Sequence, residues 1–227
     1  MDLRPRLLQQ IKDRAPFGVW TATDFLDLGS RDAIDQTLSR LKAAGEIRRI
    51  TRGLYDMPRL NTLTGKQTNP DPRQVIDALA RRDQARMLVD GLTAANDIGL
   101  SDAVPAQITV HTDARLRPIT LGAQTITFKP TAPSRLYWAG RPAMRLVQAL
   151  HWLRDMLDGD RERITRRVTT ILTDPEHGEA IANDLKDGMA TLPEWMQEFL
   201  RPAITYSGNP RGKKSVAETP KERDTTV

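Results

Sequence analysis

The clearest order of apolar and polar positions lies in residues 20–58, near the amino end of the chain. Thr21 and Asp24 have the spacing of a capping box, and Trp20 and Phe25 take the positions of a hydrophobic staple around it. These signals predict the start of a short helix, which ends at Gly29.

A second, longer helix is predicted directly after the first. Ser30 is its N-cap, and apolar residues then follow at the spacing of one buried helical face. Those residues are Ile34, Leu38 and Leu41, and Gly45 ends the helix. Two helices joined by a tight turn predict a helix-turn-helix unit.

A basic β-hairpin is predicted after the second helix, in residues 46–57. Strand-type residues lie on both sides of a turn at Gly53. Arginines lie on or beside this hairpin, where a wing that follows a DNA backbone needs positive charge. They are Arg48, Arg49 and Arg52. The helix pair and the hairpin together predict a winged helix-turn-helix.

The polar face of the second helix carries small or hydrogen-bonding side chains rather than a ladder of Glu and Lys. Arginine matches the two acceptors of guanine, and glutamine matches the donor and acceptor of adenine. A recognition helix reads bases mainly through its amino-terminal half, which favours Arg31, Asp32 and Gln36 for bases. Arg40 suits either a base or a phosphate. The candidate DNA-binding residues are Ser30, Arg31, Asp32, Gln36, Ser39 and Arg40 of the helix and Arg48, Arg49 and Arg52 of the hairpin.

The remainder of the chain predicts further helices and a small sheet. Residues 2–14 are predicted to form an opening helix. Alternating residues 107–112 predict a strand and residues 119–128 a hairpin, so that three strands would form a small antiparallel sheet. Residues 87–95 fit either a strand, turn and helix or a single helix. Other helices are predicted at residues 72–82, 142–157, 161–172, 174–185 and 192–200.

The predicted fold class is α+β, with a winged helix-turn-helix followed by a mixed domain of several helices and a small antiparallel sheet. Trp138, Trp152 and Trp195 are expected to anchor the core. The tail mixes Lys, Arg, Ser, Pro and Thr without apolar periodicity, which predicts disorder. The predicted parts are a DNA-binding domain at 1–58, a linker at 59–72, an α+β domain at 73–204 and a basic tail at 205–227.

Composition narrows the class of protein. Hydrophobic residues make up 39% of the 227 residues, charged residues make up 28%, and the formal net charge is +5. This basic excess is compatible with nucleic acid as a partner. The chain has no cysteine, which excludes disulfides and thiolate chemistry. No apolar run has the length of a signal peptide or a membrane span, so we expect a cytoplasmic protein that does not cross a membrane.

No catalytic site, metal site or cofactor is predicted. The histidines are far apart and lack any known metal-ligand spacing. A metal-dependent nuclease would need an acidic residue just before Lys129 in its strand, and none is present there, although Asp97 and Asp102 lie upstream. We therefore expect that the protein is not an enzyme. The histidines are His111, His151 and His177.

Several stretches of the chain support a family resemblance. They are DFLDLGSRDAIDQTLSRLKAAGEIRRITRGLYDMPRL, NPDPRQVIDALARRD, AANDIGLSDAVPAQITVHTD, TITFKP, RLVQALHWL and LPEWMQEFL. In this order they resemble blocks of the AbiEi-like antitoxins, which are the antitoxin halves of type IV toxin–antitoxin systems in bacterial abortive infection, a form of phage defence. The resemblance covers roughly residues 17–200 and is most specific in the first stretch.

The resemblance implies a DNA-binding transcriptional repressor of its own operon. It also implies an antitoxin that counters a nucleotidyltransferase-like toxin without needing a stable complex with it. Since repressors usually bind repeated half-sites, we expect two protomers on double-stranded operator DNA. One alternative is a protein-interaction adaptor that neutralises a toxin by direct binding and keeps the winged helix as a scaffold. A nuclease is the other alternative.

Overall fold

The computed structural model describes residues 3–13 and 18–207, which have an α+β fold. The predicted tail beyond residue 207 lies outside the described residues. The chain divides into two compact units. The first consists of Met1–Thr93 and Ala103–Gly140, and the second of Ala94–Asp102 and Arg141–Val227.

The amino-terminal part of the first unit is a winged helix-turn-helix. Its strands form an antiparallel three-stranded sheet in the order β1-β3-β2, so β2 and β3 form the wing. In chain order the elements are α1 (Leu3–Asp13), β1 (Val19–Trp20), a 3-10 turn (Ala22–Phe25), α2 (Arg31–Ala43), β2 (Arg48–Thr51) and β3 (Leu54–Asp56).

A single apolar core joins α1 and α2 to the three-stranded sheet. Full burial of an aliphatic or aromatic side chain contributes about 1.5–3 kcal/mol. The core confirms the predicted apolar face of α2 and the burial of both staple residues. Its buried members include Leu7, Ile11, Trp20, Phe25, Ile34, Leu38 and Leu41.

The first helix of the predicted pair is only one 3-10 turn, Ala22–Phe25. Asp24 Oδ2 accepts hydrogen bonds from the backbone N–H of Thr21 at 2.7 Å and from its hydroxyl at 3.1 Å. Leu28 N–H donates to Phe25 O at 2.9 Å, and the chain then turns towards α2. A segment this short forms few i→i−4 hydrogen bonds. It is stabilised instead by the burial of Phe25 and by the hydrogen bonds that the Asp24 carboxylate accepts.

The ends of α2 follow the sequence prediction. Ser30 caps the first turn, where its Oγ lies 3.4 Å from Ala33 N. At the other end Gly45 takes a left-handed φ of 73°. This conformation lets Glu46 N–H donate to Leu41 O at 3.0 Å, which satisfies a carbonyl that the helix leaves open.

The rest of the first unit contains a helix and a four-stranded sheet of order β4-β5-β7-β6. The β6–β7 hairpin is antiparallel as predicted, but β5 and β7 are parallel. The prediction of a purely antiparallel three-stranded sheet was therefore wrong. The seven-residue β7 offers β5 a longer ladder than the three-residue β6 does. The elements are α3 (Pro72–Asp83), β4 (Met87–Val89), β5 (Gln107–Thr112), β6 (Ile119–Leu121) and β7 (Gln124–Pro130).

The segment after α3 follows the strand, turn and helix alternative. Asp90 lies between β4 and the short helix α4 (Gly91–Asp97). Its Oδ1 accepts from Thr93 N–H at 2.9 Å, and its Oδ2 accepts from Thr109 N–H at 2.7 Å. One carboxylate thus caps α4 and ties its start to β5.

Residues 59–72, the predicted linker, lie within the first unit. Leu60 and Gln67 form an isolated antiparallel bridge. Asp71 then caps α3 by accepting from Arg73 N–H at 2.9 Å. The segment therefore has local structure of its own, and its role as a domain boundary stays a prediction.

The second unit is helical. On α5 the buried residues Leu146, Leu150 and Leu153 repeat every three or four positions, and Trp152 falls outside this stripe. Trp152 is 39% exposed, so the expectation that it anchors the core was wrong. None of the helices in the described ranges is long and apolar enough to cross a membrane. The principal helices of this unit are α5 (Met144–Leu153), α6 (Arg161–Leu172), α7 (Gly178–Gly188) and α8 (Glu194–Ser207).

Helix α3 is tied to the winged helix through Arg81. Its Nη2 donates to Val19 O at 3.2 Å, and its Nε donates to Asp24 Oδ1 at 3.4 Å. Asp24 therefore holds both the 3-10 turn and α3. Since this carboxylate is only 16% exposed, its hydrogen bonds are shielded from water and should contribute to stability.

Asp24→Ala should lower the free energy of unfolding by about 1–3 kcal/mol, because the Thr21 N–H and Arg81 lose a charged acceptor. Chemical denaturation followed by circular dichroism measures this change. Asp27→Ala is the control, because Asp27 is exposed in the same turn region. An equal loss in both variants would contradict the role given to Asp24.

Candidate nucleic-acid interface

The polar face of α2 is exposed to solvent, opposite the face that packs in the core. A recognition helix needs such a face, because its side chains must reach base edges in the major groove. Every residue predicted for base or phosphate contact on this helix is exposed. They are Ser30, Arg31, Asp32, Gln36, Ser39 and Arg40.

Internal contacts leave this face available. Arg31 Nε donates to Asp35 Oδ2 at 2.9 Å, and both side chains are about half exposed. Such a pair contributes only about 0.3–0.5 kcal/mol, so a ligand can displace it. Gln36 and Arg40 make no side-chain hydrogen bond or ion pair with the described part of the chain. Their donors and acceptors are therefore free to meet a ligand.

The wing arginines differ in what they contact. Arg48 pairs with Asp56 across the β2–β3 ladder. Its Nε lies 2.9 Å from Asp56 Oδ1, and its Nη2 lies 2.5 Å from Oδ2. The Asp56 side chain is 8% exposed, so Arg48 neutralises a buried carboxylate inside the sheet. Its charge is therefore less available to DNA than its place in a basic hairpin predicts.

Arg49 and Arg52 are the exposed arginines of the wing. Arg49 Nε donates to the carbonyl of Thr51 at 3.3 Å, its one side-chain hydrogen bond within the described residues. Arg52 lies at the turn, next to Gly53, whose φ of 74° reverses the chain. Within residues 3–13 and 18–207, the Arg52 guanidinium has no hydrogen bond or ion pair. Both side chains can therefore neutralise phosphates.

A basic pocket of about 390 Å³ lies beside the wing, and we call it the wing pocket. It brings together Arg31 and Arg52, which are predicted DNA-binding residues, and Arg82 and Arg117, which are not among them. Arg82 lies at the end of α3 and Arg117 in the connection from β5 to β6. No sequence pattern around Arg82 or Arg117 relates either residue to the hairpin. Their positive charge is the only signal of such a role that the sequence contains.

The residues considered for metal chemistry hydrogen-bond to other side chains or lie on different elements. Asp97 Oδ2 accepts from Arg145 Nε at 3.0 Å, and Lys129 lies on β7. His111 Nδ1 lies 3.0 Å from Thr131 Oγ1. In the described ranges, no three His, Asp or Glu side chains are grouped so that they could hold a metal ion.

Comparison with known protein families places most of the chain in a family. Residues 6–177 match DUF6088, described as a family of unknown function. The chain belongs to this family. The matched region includes α2, the wing and every residue of the wing pocket. Among curated proteins, the chain has no match.

Arg48→Ala should lower the free energy of unfolding by about 3 kcal/mol, because it leaves the buried Asp56 carboxylate without its partner. Arg49→Ala removes the same charge from an exposed position and should change stability by less than about 0.5 kcal/mol. Urea denaturation of both variants measures the difference. Equal stabilities would show that the Arg48–Asp56 pair does not support the wing.

Proposed function

We propose that this DUF6088 protein is a DNA-binding transcriptional autorepressor. The observation that carries the proposal is the exposed polar face of α2 beside a wing with two exposed arginines, Arg49 and Arg52. These features occur in a winged helix-turn-helix, and a helix-turn-helix can bind DNA with its second helix in the major groove. The ligand that fits them is double-stranded operator DNA.

The proposed contacts divide into two kinds. Gln36 and Arg40 lie on the exposed face of α2, where they would meet base edges in the major groove and supply specificity. Arg49 and Arg52 lie on the wing, where they would neutralise phosphates and supply affinity that depends on salt. Arg48 supports the wing from within through Asp56.

The antitoxin role is a further part of the proposal, and it is supported by the resemblance of residues 17–200 to AbiEi-like antitoxins. In that role the protein acts in the bacterial cytoplasm against a nucleotidyltransferase-like toxin. Repression of the shared operon would limit the supply of both proteins. Two protomers would bind paired half-sites of the operator, since repressors commonly do so.

Arg40→Ala and Gln36→Ala should weaken binding to the DNA upstream of the gene by about tenfold or more and relax base preference, because each removes contacts to a base edge. Arg49→Ala should weaken binding to all sequences and lower the slope of log affinity against log salt by about one. Gel-shift titrations over a range of salt concentrations measure both effects.

Arg201→Ala is the control for these titrations. It removes an exposed arginine from α8, outside the winged helix, and should leave retention of the DNA unchanged. If all three variants of α2 and the wing retain DNA as the unaltered protein does, the assignment of the recognition helix and wing is wrong.

The antitoxin role needs a separate test. If a nucleotidyltransferase-like gene adjoins this one, coexpression should restore growth without the two proteins purifying together. Stable copurification together with absence of operator binding would instead support the adaptor alternative. Absence of any growth rescue would remove the antitoxin part and leave DNA binding to be decided by the gel shifts.

A further inference from the structure

The wing pocket is formed by four segments of the first unit, one of which is the start of α2 with Arg31. The turn of the wing, Thr51 to Gly53, forms one side, and α3 contributes Leu79 and Arg82. The connection from β5 to β6 forms the other side, with Leu116 and Arg117. Arg82 reaches across to the wing, where its Nη1 donates to Arg52 O at 2.7 Å. The pocket is thus built on structured elements that hold each other in place.

The charge of the pocket is positive and only partly compensated. Arg82 forms two hydrogen bonds with Asp83, at 2.8 and 2.7 Å, and Arg31 pairs with Asp35. Arg52 and Arg117 have no acidic partner among residues 3–13 and 18–207, and none of the lining residues is acidic. Two guanidinium groups therefore lie beside a concave space without neutralisation. Arginine in such a position is well suited to bind phosphate oxygens through paired hydrogen bonds.

Apart from Thr51, the remaining lining side chains are apolar. Besides Leu79 and Leu116 they include Pro118 and Ile119. A phosphate of a DNA backbone would not need this apolar surface, whereas the base of a nucleotide would cover it. The volume of about 390 Å³ falls within the range of about 300–1,000 Å³ that is usual for small-molecule sites. Positive charge, apolar lining and concave shape together favour a small molecule with both phosphates and a flat ring.

We propose that the wing pocket binds a nucleotide. Its phosphates contact the guanidinium groups of Arg52 and Arg117, and its base packs against Leu116 and Ile119. This site shares Arg31 and Arg52 with the proposed DNA interface, but nucleotide binding does not depend on DNA binding.

One consequence does rest on the proposed DNA binding. Arg31 begins the recognition helix and Arg52 lies on the wing, so both line the nucleotide site and belong to the proposed DNA interface. A bound nucleotide adds negative charge where DNA phosphates would lie. Nucleotide and DNA should therefore compete, and each should weaken the affinity for the other by the same factor.

The direct test is calorimetric titration of the full chain, without DNA, with ATP, inorganic tripolyphosphate and adenosine. ATP should bind, and the other two probes should each bind at least about tenfold more weakly, because each offers only one of the two complementary parts. Failure of ATP to bind would overturn the proposal. Equal affinity for tripolyphosphate and ATP would overturn the assignment of a nucleotide, because the apolar lining would then contribute nothing.

Variants localise the site. Arg117→Ala and Arg52→Ala should each weaken ATP binding by about tenfold, since each removes a charged contact. Arg115→Ala is the matched control: it removes an exposed arginine two positions away in the same connection that does not line the pocket. An equal loss in Arg115→Ala would show non-specific attraction and overturn the site. Arg117→Lys, which keeps the charge without the paired hydrogen bonds, should give an intermediate affinity, and thermal melts verify that all variants are folded.

The two proposals fail in different experiments. ATP binding without retention of operator DNA would reject the proposed DNA binding and leave the nucleotide site in place. Retention of DNA that weakens in Arg117→Ala, together with no ATP binding, would show that the pocket serves the DNA backbone and would overturn the nucleotide proposal. If both ligands bind, added ATP should lower DNA retention in the unaltered protein and not in Arg117→Ala.

Discussion

Burial of one face of α2 is the constraint on which the winged helix depends. Ile34, Leu38 and Leu41 are fully buried and pack in the core that α1 also enters through Leu7 and Ile11. Because an α-helix has 3.6 residues per turn, this packing turns Gln36 and its neighbours towards solvent. The same hydrophobic contacts that stabilise the domain therefore set the orientation of the face that can meet a ligand.

Electrostatic pairing then divides the arginines of the wing into supporting and available ones. Asp56 is buried in β3 and needs a cation, since an unpaired buried carboxylate is costly. Arg48, its partner in the ladder, supplies that cation and is held inside the sheet. Arg49 and Arg52 have no acidic partner in the part of the chain that the structure describes, and both are exposed. The wing thus presents less positive charge to a ligand than its sequence suggests, and that charge lies on Arg49 and Arg52.

Helix α3 connects this interface to the rest of the first unit. Arg81 hydrogen-bonds to β1 and to the carboxylate that holds the 3-10 turn, while Arg82 hydrogen-bonds to the wing turn. The connection from β5 to β6, which carries Arg117, lines the same wing pocket as Arg82. A ligand in this pocket would touch both the start of α2 and the wing, which gives a physical route by which binding at one place affects binding at the other.

Local signals in the sequence were sufficient for the winged helix. Periodicity gave the buried face of α2, Ser30 and Gly45 marked its ends, and alternation located β5, because these features depend on near neighbours in the chain. The folded chain alone decides three features: the parallel pairing of β5 with β7, the ion pair of Arg48 with Asp56, and the wing pocket. These features depend on strand register and on which side chains meet in three dimensions, and hydrophobic spacing along a chain does not encode that.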